Sequence, residues 1–571
     1  MNHWTLPAHL ENTATNGAAR DVLTFIDRRE NETPIHWREV YARARRAAGA
    51  LAASGVKPGD RVAIILPTCP EFIDALFGLQ LLGATPVPLY PPVRLGRLTE
   101  YFDKTAAMLQ AVSAAALITT GRVRRVMGQV VARYAPPLGL IEATTLHRGP
   151  DRDPADVSPD DLAMVQFSSG TTVAPKPVAL THAQVLSNAD AIIDFIPLDS
   201  DEPQGGACWL PLYHDMGLIG CVYVALASPG PLALISPEVF LAKPALWLRA
   251  ISRHRVTTSP APNFAYALCA ERIRDEEMEG MDLSSWKLAL NGAEPVAPAS
   301  LRQFTKRFAQ WGLPESALTP VYGLAEASLA VTFSDPSRPF TTRRIDRTAL
   351  LDGNIELADD GIEAVSVGTP LRGFSVEIRS EDGHRLPAQR IGHIWARGPS
   401  IMQGYLDRED SPIIDSWLNT GDLGYMLDGE LYIAGRAKDV IILRGQNHTP
   451  QDIEQAVDDV DGIRVGCAAA IGDLTEDGER LVLFVEFREA RADLAEDCRR
   501  AVLKKTGLNP DLVVLIAPGT LPRTSSGKIR RAEALRQWKV GDLKPPDKVT
   551  PWLLAGAMAS SALGYLKSRR S

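Results

Sequence analysis

From Phe167 to His182 the chain reads FSSGTTVAPKPVALTH, a cluster of small hydroxyl residues followed by a lysine between two prolines. Ser168, Ser169, Gly170, Thr171 and Thr172 offer hydroxyls and backbone N–H groups in close succession, and Lys176 adds a point charge. Successive amides of this kind form a concavity that suits phosphate oxygens, and an ammonium group reinforces it. On composition alone a Ser/Thr-rich surface turn is the commoner case. The familiar nucleotide pattern G-x-x-x-x-G-K-[ST] does not fit, because no second glycine precedes Lys176 and Pro177 follows it. The loop is a candidate anion site whose meaning depends on the rest of the chain.

Such a loop needs rigid elements to hold it. Val165, Gln166 and Phe167 end a short stretch that predicts a buried strand directly before the hydroxyl cluster. Through the first two thirds of the chain, short apolar strands alternate with helical segments: DRVAIILP, then the helical PEFIDALFGLQLLGA, then TPVPLYPP. That order predicts βαβ units. AALITT, LALIS and WKLALNGAEP predict further strands with helices such as AKPALWLRAISRH between them, so the expected fold is α/β with layered sheets. Near Gly392 the pattern turns to strands and turns (GHIWARG, GELYIAGR), which predicts a β-rich module ending a large N-terminal domain over residues 1–435. RAKD then leads into VIILRGQNHTPQDIEQAVDDV, where a strand, a loop and a Pro-led helix restart the alternation. A hinge is expected over 436–438 and a small mobile α+β C-terminal domain over 439–545. KPPDKVTP reads as a linker into a tail over 546–571, a candidate helix.

With 571 residues the chain exceeds what one core usually organises, and 45% hydrophobic content is ample for more than one. A formal charge of -8 without long basic runs argues against a nucleic-acid partner. Cys69, Cys208, Cys221, Cys269, Cys467 and Cys498 lack C-x-x-C spacing, so neither a zinc site nor a disulfide framework is expected. The opening MNHWTLPAHL has no basic n-region and no apolar h-region, so no signal peptide is read and a cytoplasmic location is expected. Val549 to Leu566 carries no charge but is rich in Ala, Gly and Ser, at the weak edge of membrane-spanning length. Gly556, Ser560 and Gly564 recur every four residues, a spacing that lets helices approach closely in lipid. A tail packed on its own protein, or left disordered, is the expected state; weak membrane contact is the alternative.

Further stretches decide the question when taken together. They are PLYHDMGLIG (211–220), NGAEPV (291–296), VYGLAEASL (321–329), NTGDLGY (419–425), GRAKDVIILRGQNHTPQDIE (435–454) and LPRTSSGKIRR (521–531). Any one alone is weak, but their joint order and separations are specific. From about residue 20 to about 540 the chain resembles the adenylate-forming superfamily of acyl and aryl ligases, and within it the fatty acyl-AMP ligases. The resemblance implies ATP, Mg2+ and a fatty acid, whose carboxylate attacks the α-phosphate of ATP and expels pyrophosphate. Two anions meet in that step, so preorganised positive charge is the expected main catalytic contribution.

By this resemblance Lys528, in TSSGK, is the mobile lysine that bridges the carboxylate and the α-phosphate. Without the motif it would read as an exposed lysine beside Arg523, Arg530 and Arg531. His214 matches a residue near the acyl tunnel and phosphates and is grouped with Lys528 as catalytic. Glu326 matches the magnesium-binding acid, an oxygen ligand suited to a hard cation. Tyr322 and the backbone around Asn291, Gly292 and Ala293 match positions that enclose adenine, and Gly323 belongs to the same nucleotide-binding set. Asp422, in TGD, matches the acid that accepts hydrogen bonds from both ribose hydroxyls, a task for an ionised acceptor; a turn or cap is the commoner role for such a residue. Arg436 resembles the arginine that contacts nucleotide at the domain border, and Lys438 occupies the hinge position.

The opening loop resembles the pyrophosphate-binding loop of the superfamily, which usually reads TSGSTG-x-PKG. Here Val173 and Pro177 stand where glycines are usual. Positive φ at Val173 would cost on the order of 1–3 kcal/mol, so a somewhat different loop path is expected. HDMGLIG, RGQNHTPQDIE and residues 339–371 point to the fatty acyl-AMP ligases, and about 339–366 resembles the insertion that restrains the small domain or the path of CoA in these ligases. The acyl group is then expected to pass to a holo acyl carrier protein or a polyketide or peptide synthase carrier domain. A fatty acyl-CoA ligase is the nearest alternative. A non-catalytic nucleotide-binding scaffold is the distant one, and Lys528, Glu326 and Asp422 argue against it.

Overall fold

A computed structural model of the chain describes residues 4–92, 98–168, 175–196, 204–443, 446–475, 478–524, 528–545 and 560–562. Ser169, Gly170, Thr171, Thr172 and Val173 of the hydroxyl loop lie outside the described residues, as does the tail apart from 560–562.

The strand Arg61–Ile65 is buried beyond its first residue, and Thr85–Leu89 and Ala116–Thr119 pair with it in parallel and are buried throughout. Near-continuous apolar runs are what a parallel strand covered on both faces requires. Leu140–Glu142 completes this four-stranded sheet. The helix Pro70–Leu82 connects its first two strands, with Pro at the first turn, where an N–H has no partner to lose, and Gly83 in the left-handed region (φ 75) as its stop.

A second sheet has nine strands in the order Thr369–Pro370, Ala330–Phe333, Leu318–Gly323, Leu288–Asn291, Thr258–Ala261, Gly206–Cys208, Leu232–Ile235, Val22–Ile26 and Glu32–His36. From Leu318–Gly323 to Val22–Ile26 all pairs are parallel, and the edges are antiparallel. In open sheets of this kind ligands bind beyond the carboxyl ends of the strands. NGAEP and YGLAE lie at two such ends.

The β-rich module is antiparallel: Ser375–Arg379, Gly392–Arg397 and Trp417–Leu427 pair in turn, and Glu430–Arg436 returns along the last. The candidate insertion is a hairpin, Thr342–Ile345 against Ile362–Val365, carrying the short helix Arg347–Leu351. Its Ile345 and Ile355 are buried with Tyr425, Leu427 and Tyr432 of the module. The smaller C-terminal domain is α+β. Its strands Ile463–Thr475, Gly478–Phe487 and Leu512–Ile516 form one sheet, covered by the helices Pro450–Val457, Leu494–Thr506 and Arg531–Lys539.

The described part of the tail is seated on the large domain. Ser561 is fully buried, its Oγ accepts the Gly128 N–H at 2.7 Å, and the Ser560 carbonyl accepts the Gln129 side-chain amide at 2.5 Å. A Cβ at Gly128 would lie 1.9 Å from the Ser561 carbonyl oxygen, so only glycine allows this approach. Among the described residues no helix is long and apolar enough to cross a membrane. Gly128→Val is expected to unseat the tail and cost about 1–3 kcal/mol through two lost hydrogen bonds at roughly 0.5–1.5 each. Denaturant unfolding and limited proteolysis check this: unchanged stability with an equally protected tail would contradict the seat.

Candidate active site

A cavity of about 530 Å³ opens beyond the carboxyl ends of the parallel strands, between the β-rich module and the segment that carries Lys528. Its lining includes apolar residues, Ile192, Leu290, Val321, Leu329, Ala330 and Phe333 among them. It also includes Ser168, Lys176, His214, Asp215, Glu326, Arg436, Lys438 and Lys528. Gly292, Ala293, Tyr322 and Gly323 lie along the same cavity. Ala293 holds a positive φ of 69, a cost for a residue with a Cβ. Asn291 is fully buried outside the lining, and its amide reaches Asn263 Oδ1 at 3.3 Å.

Strand register explains the first polar group. Asp422 and Arg436 are cross-strand partners, so their side chains meet, with Arg436 Nε 3.1 Å from Asp422 Oδ1. Tyr322, from the neighbouring sheet, donates its hydroxyl to Asp422 Oδ2 at 2.8 Å. The Asp422 N–H donates to Thr420 Oγ1 at 3.1 Å, and that hydroxyl donates to the Ile394 carbonyl at 2.8 Å. Asp422 is thereby fixed in place and is 6% exposed. The Asp422 charge, against burial, holds the Arg436 guanidinium above its usual range.

Glu326 sits in a short turn after Leu318–Gly323, and the turn is locked from behind. Buried Asn188 donates to the Ala327 and Ala330 carbonyls and accepts the Ala330 N–H. The Tyr405 hydroxyl donates to Glu326 Oε1 at 3.0 Å. Burial pushes the Glu326 carboxyl above the usual carboxylate range, opposed by Tyr405 and Arg436. Among the described residues no group of three or more His, Cys, Asp or Glu could hold a metal alone.

The Lys528 loop is closed at its base: the Thr524 N–H donates to the Lys528 carbonyl at 2.7 Å, and the Lys528 N–H to Thr524 Oγ1 at 3.0 Å. The ammonium group enters the cavity, where burial and then the Arg436 charge push it below the usual lysine range, while Asp215, Asp422 and Glu294 oppose them. Asp215 and His214 form a close pair, Oδ1 to Nδ1 2.6 Å, and the Met216 N–H donates to the same carboxylate oxygen at 2.7 Å. Burial would raise the Asp215 carboxyl, but His214 and Lys528 together hold it below its usual range. Glu294 accepts the Phe264 N–H at 2.6 Å, and burial pushes it up. Asp215 and Glu294 both lie inside motifs quoted above, yet no role was read for either. Acidic residues within HDMG and NGAEP were the available signal.

Leu162–Phe167 and Pro177–Thr181 pair antiparallel, and beyond them the Ser168 N–H donates to the Lys176 carbonyl at 2.9 Å. Pro177 begins its strand, the position in a sheet where a missing N–H is tolerated. Lys176 Nζ lies 2.9 Å from Asp410 Oδ2 and 4.4 Å from the centre of the Tyr405 ring. Its charge is thus shared with Asp410, a pairing absent from any local pattern. Lys438 lines the cavity from the turn Ala437–Asp439, and the next residue, Asp439, accepts Arg531 Nη1 at 3.1 Å.

The family profile described as AMP-binding enzyme matches residues 10–406, and the profile described as Disco-interacting protein 2-like, AMP domain, matches 438–547. The chain is 32% identical to the 4-hydroxyphenylalkanoate adenylyltransferase of Mycobacterium marinum, over 94% of this chain and 92% of that protein. It is also 32% identical to the long-chain-fatty-acid–AMP ligase FadD26 of the same organism, over 94% and 97%. A solved structure from the fatty acyl-adenylate ligases of E. coli and L. pneumophila superposes with a TM-score of 0.87 at 34% identity, over 94% of this chain and 98% of that one.

Proposed function

We propose a reaction from one premise: the chain belongs to the AMP-binding enzyme family. It is an acyl-adenylating ligase that joins a fatty acid to AMP. A carboxylate oxygen of the acid attacks the α-phosphorus of ATP, the bond to the bridging oxygen breaks, and pyrophosphate leaves with the electron pair. The observation that carries this reading is a single cavity lined both by apolar side chains and by Lys528, Arg436 and Glu326. An acyl chain fits the first and a triphosphate the second.

Lys528 stabilises the two anions as they meet. Asp422 accepts the ribose hydroxyls, held for this by Tyr322 and Arg436. Gly292, Ala293, Tyr322 and Gly323 take the base, and His214, paired with Asp215, flanks the reacting carboxylate. Glu326 is the residue that would hold Mg2+, an oxygen ligand suited to a hard cation. When bound, the cation neutralises phosphate charge. The hinge is assigned to 436–438, because Asp439 is already tied to Arg531 of the small domain and the backbone that can turn lies before it. All six cysteines are free thiols, which fits work in the cytoplasm.

The acceptor is a holo acyl carrier protein or a carrier domain, and CoA is disfavoured. In support, the helix Arg347–Leu351 lies against the strand Gln446–His448 of the small domain. Burial pushes the Asp452 carboxyl up, countered first by the Thr449 hydroxyl and then by Arg347 of that helix. The insertion thus braces the small domain while its base stays in the core. Mass spectrometry after incubation with ATP, Mg2+, CoA, holo carrier proteins, and a panel of fatty acids and 4-hydroxyphenylalkanoates tests the reading. Acyl-AMP and acyl-carrier are expected, with little acyl-CoA, and efficient acyl-CoA synthesis by the native protein would overturn the acceptor assignment. Removing the helix Arg347–Leu351 should raise acyl-CoA formation several-fold, on the order of the 0.5–2 kcal/mol by which residues between two sites modulate their coupling, without a matching rise in adenylation.

A further inference from the structure

Arg530 follows Lys528 by two residues and has little access to water, its side chain being 8% exposed. Its Nη1 lies 3.3 Å from Oε1 of Glu100, which stands in the first turn of the large-domain helix Leu98–Ala111. The Arg530 N–H donates to the Pro522 carbonyl at 2.8 Å and so belongs to the base of the Lys528 loop. Lysine loop and guanidinium therefore move together, and Glu100 grips them from the other domain. Glu100 also pairs with Lys104 one turn along its own helix, and Arg530 acts on Glu533 within the small domain. Tyr90 feels both Glu100 and Arg530, and its ring packs 6.3 Å from that of Tyr213, the residue before His214. The ion pair thus adjoins the site without reaching its reacting atoms.

We propose that Glu100 is a positioning residue for adenylation: its carboxylate holds Arg530, and through it the Lys528 loop, in the orientation that brings the lysine into the cavity. The proposal rests on the acyl-adenylation reading. A nearly buried guanidinium deprived of Glu100 keeps the Glu533 charge of its own domain but loses its partner across the domain border, which favours orientations of the small domain that return it to water. Glu100 touches neither nucleotide nor acid, so its loss should appear in turnover and leave ATP affinity alone.

The test is Glu100→Gln in the full-length protein. Fatty-acid-dependent pyrophosphate release should fall in kcat by about tenfold or more, with the KM for ATP within about twofold of wild type. Arg530→Met should do the same, and the double variant should lose no more than either single one, because both remove one interaction. In substrate-free protein, hydrogen exchange across 521–531 should quicken in each variant. Unchanged kcat in folded Glu100→Gln, additive losses in the double variant, or unchanged exchange across that segment would each overturn the proposal. If Glu100→Gln does not fold, Arg530→Met alone carries the kcat, KM and exchange comparisons. The exchange result also stands without catalysis, so a wild-type protein that forms no acyl-AMP would sink the functional reading and leave the contact to be judged separately.

Discussion

Lys528→Ala is expected to slow single-turnover formation of acyl-AMP by about 10²–10³-fold, the usual loss when one preorganised charge or donor is taken from a developing anion. ATP affinity should stay within a few-fold of wild type. The division follows from where the groups sit: Asp422, the proposed ribose acceptor, is held by Tyr322 and Arg436 on the large-domain side, whereas Lys528 arrives on a loop closed at its base by Thr524. An interaction made only as the two anions approach lowers kcat and kcat/KM together when it is removed. The ammonium must be protonated to act, and burial with Arg436 beside it pushes its proton affinity down. The basic limb of the kcat/KM profile, which reports the free enzyme, should therefore lie below the ordinary lysine value and disappear in the variant. Rapid-quench kinetics with calorimetry of ATP binding checks both statements. Adenylation close to wild type would remove Lys528 from the chemistry.

The fold was legible where one residue's surroundings are decided by its neighbours in the chain. DRVAIILP and TPVPLYPP read as strands because parallel strands covered on both faces must be apolar throughout, and PEFIDALFGLQLLGA read as a helix because a proline opens it and a glycine ends it. Tyr322, Asp422 and Arg436 could be singled out on motifs, but their hydrogen-bonded cluster could not, since it depends on the register of two strands and on a third element from another sheet. What stayed hidden has the same cause. Asn188 behind the Glu326 turn, Tyr405 on its carboxylate, Asp410 on Lys176, Glu100 on Arg530 and Ser561 on Gly128 are pairings between distant segments, each built from residue types that are ordinary in their own local sequence. Asp215 differs: it stood beside His214 in a quoted motif, and a carboxylate within an apolar stretch was itself a sign of a partner.

Asp422→Ala should weaken ATP binding by about 1.5–3 kcal/mol for each charge-assisted hydrogen bond to the ribose that is lost, which is roughly tenfold to more than a hundredfold. A second cost is built into the site. Asp422 is the carboxylate 3.1 Å from Arg436 Nε and the acceptor of the Tyr322 hydroxyl, so its removal leaves a buried donor without its acceptor and a half-exposed cation without its counter-charge. Lower stability could then imitate lower affinity, and two further variants separate them. Asp422→Asn keeps an acceptor for Tyr322 but no charge for Arg436 or for strong ribose bonds, so it should fold better than Asp422→Ala and still bind ATP poorly. Asp422→Ala combined with Arg436→Ala removes the stranded cation and should regain melting temperature without regaining affinity. If calorimetry finds that a stable Asp422→Asn binds ATP as tightly as wild type, the Asp422 charge does not hold the ribose, and another group must.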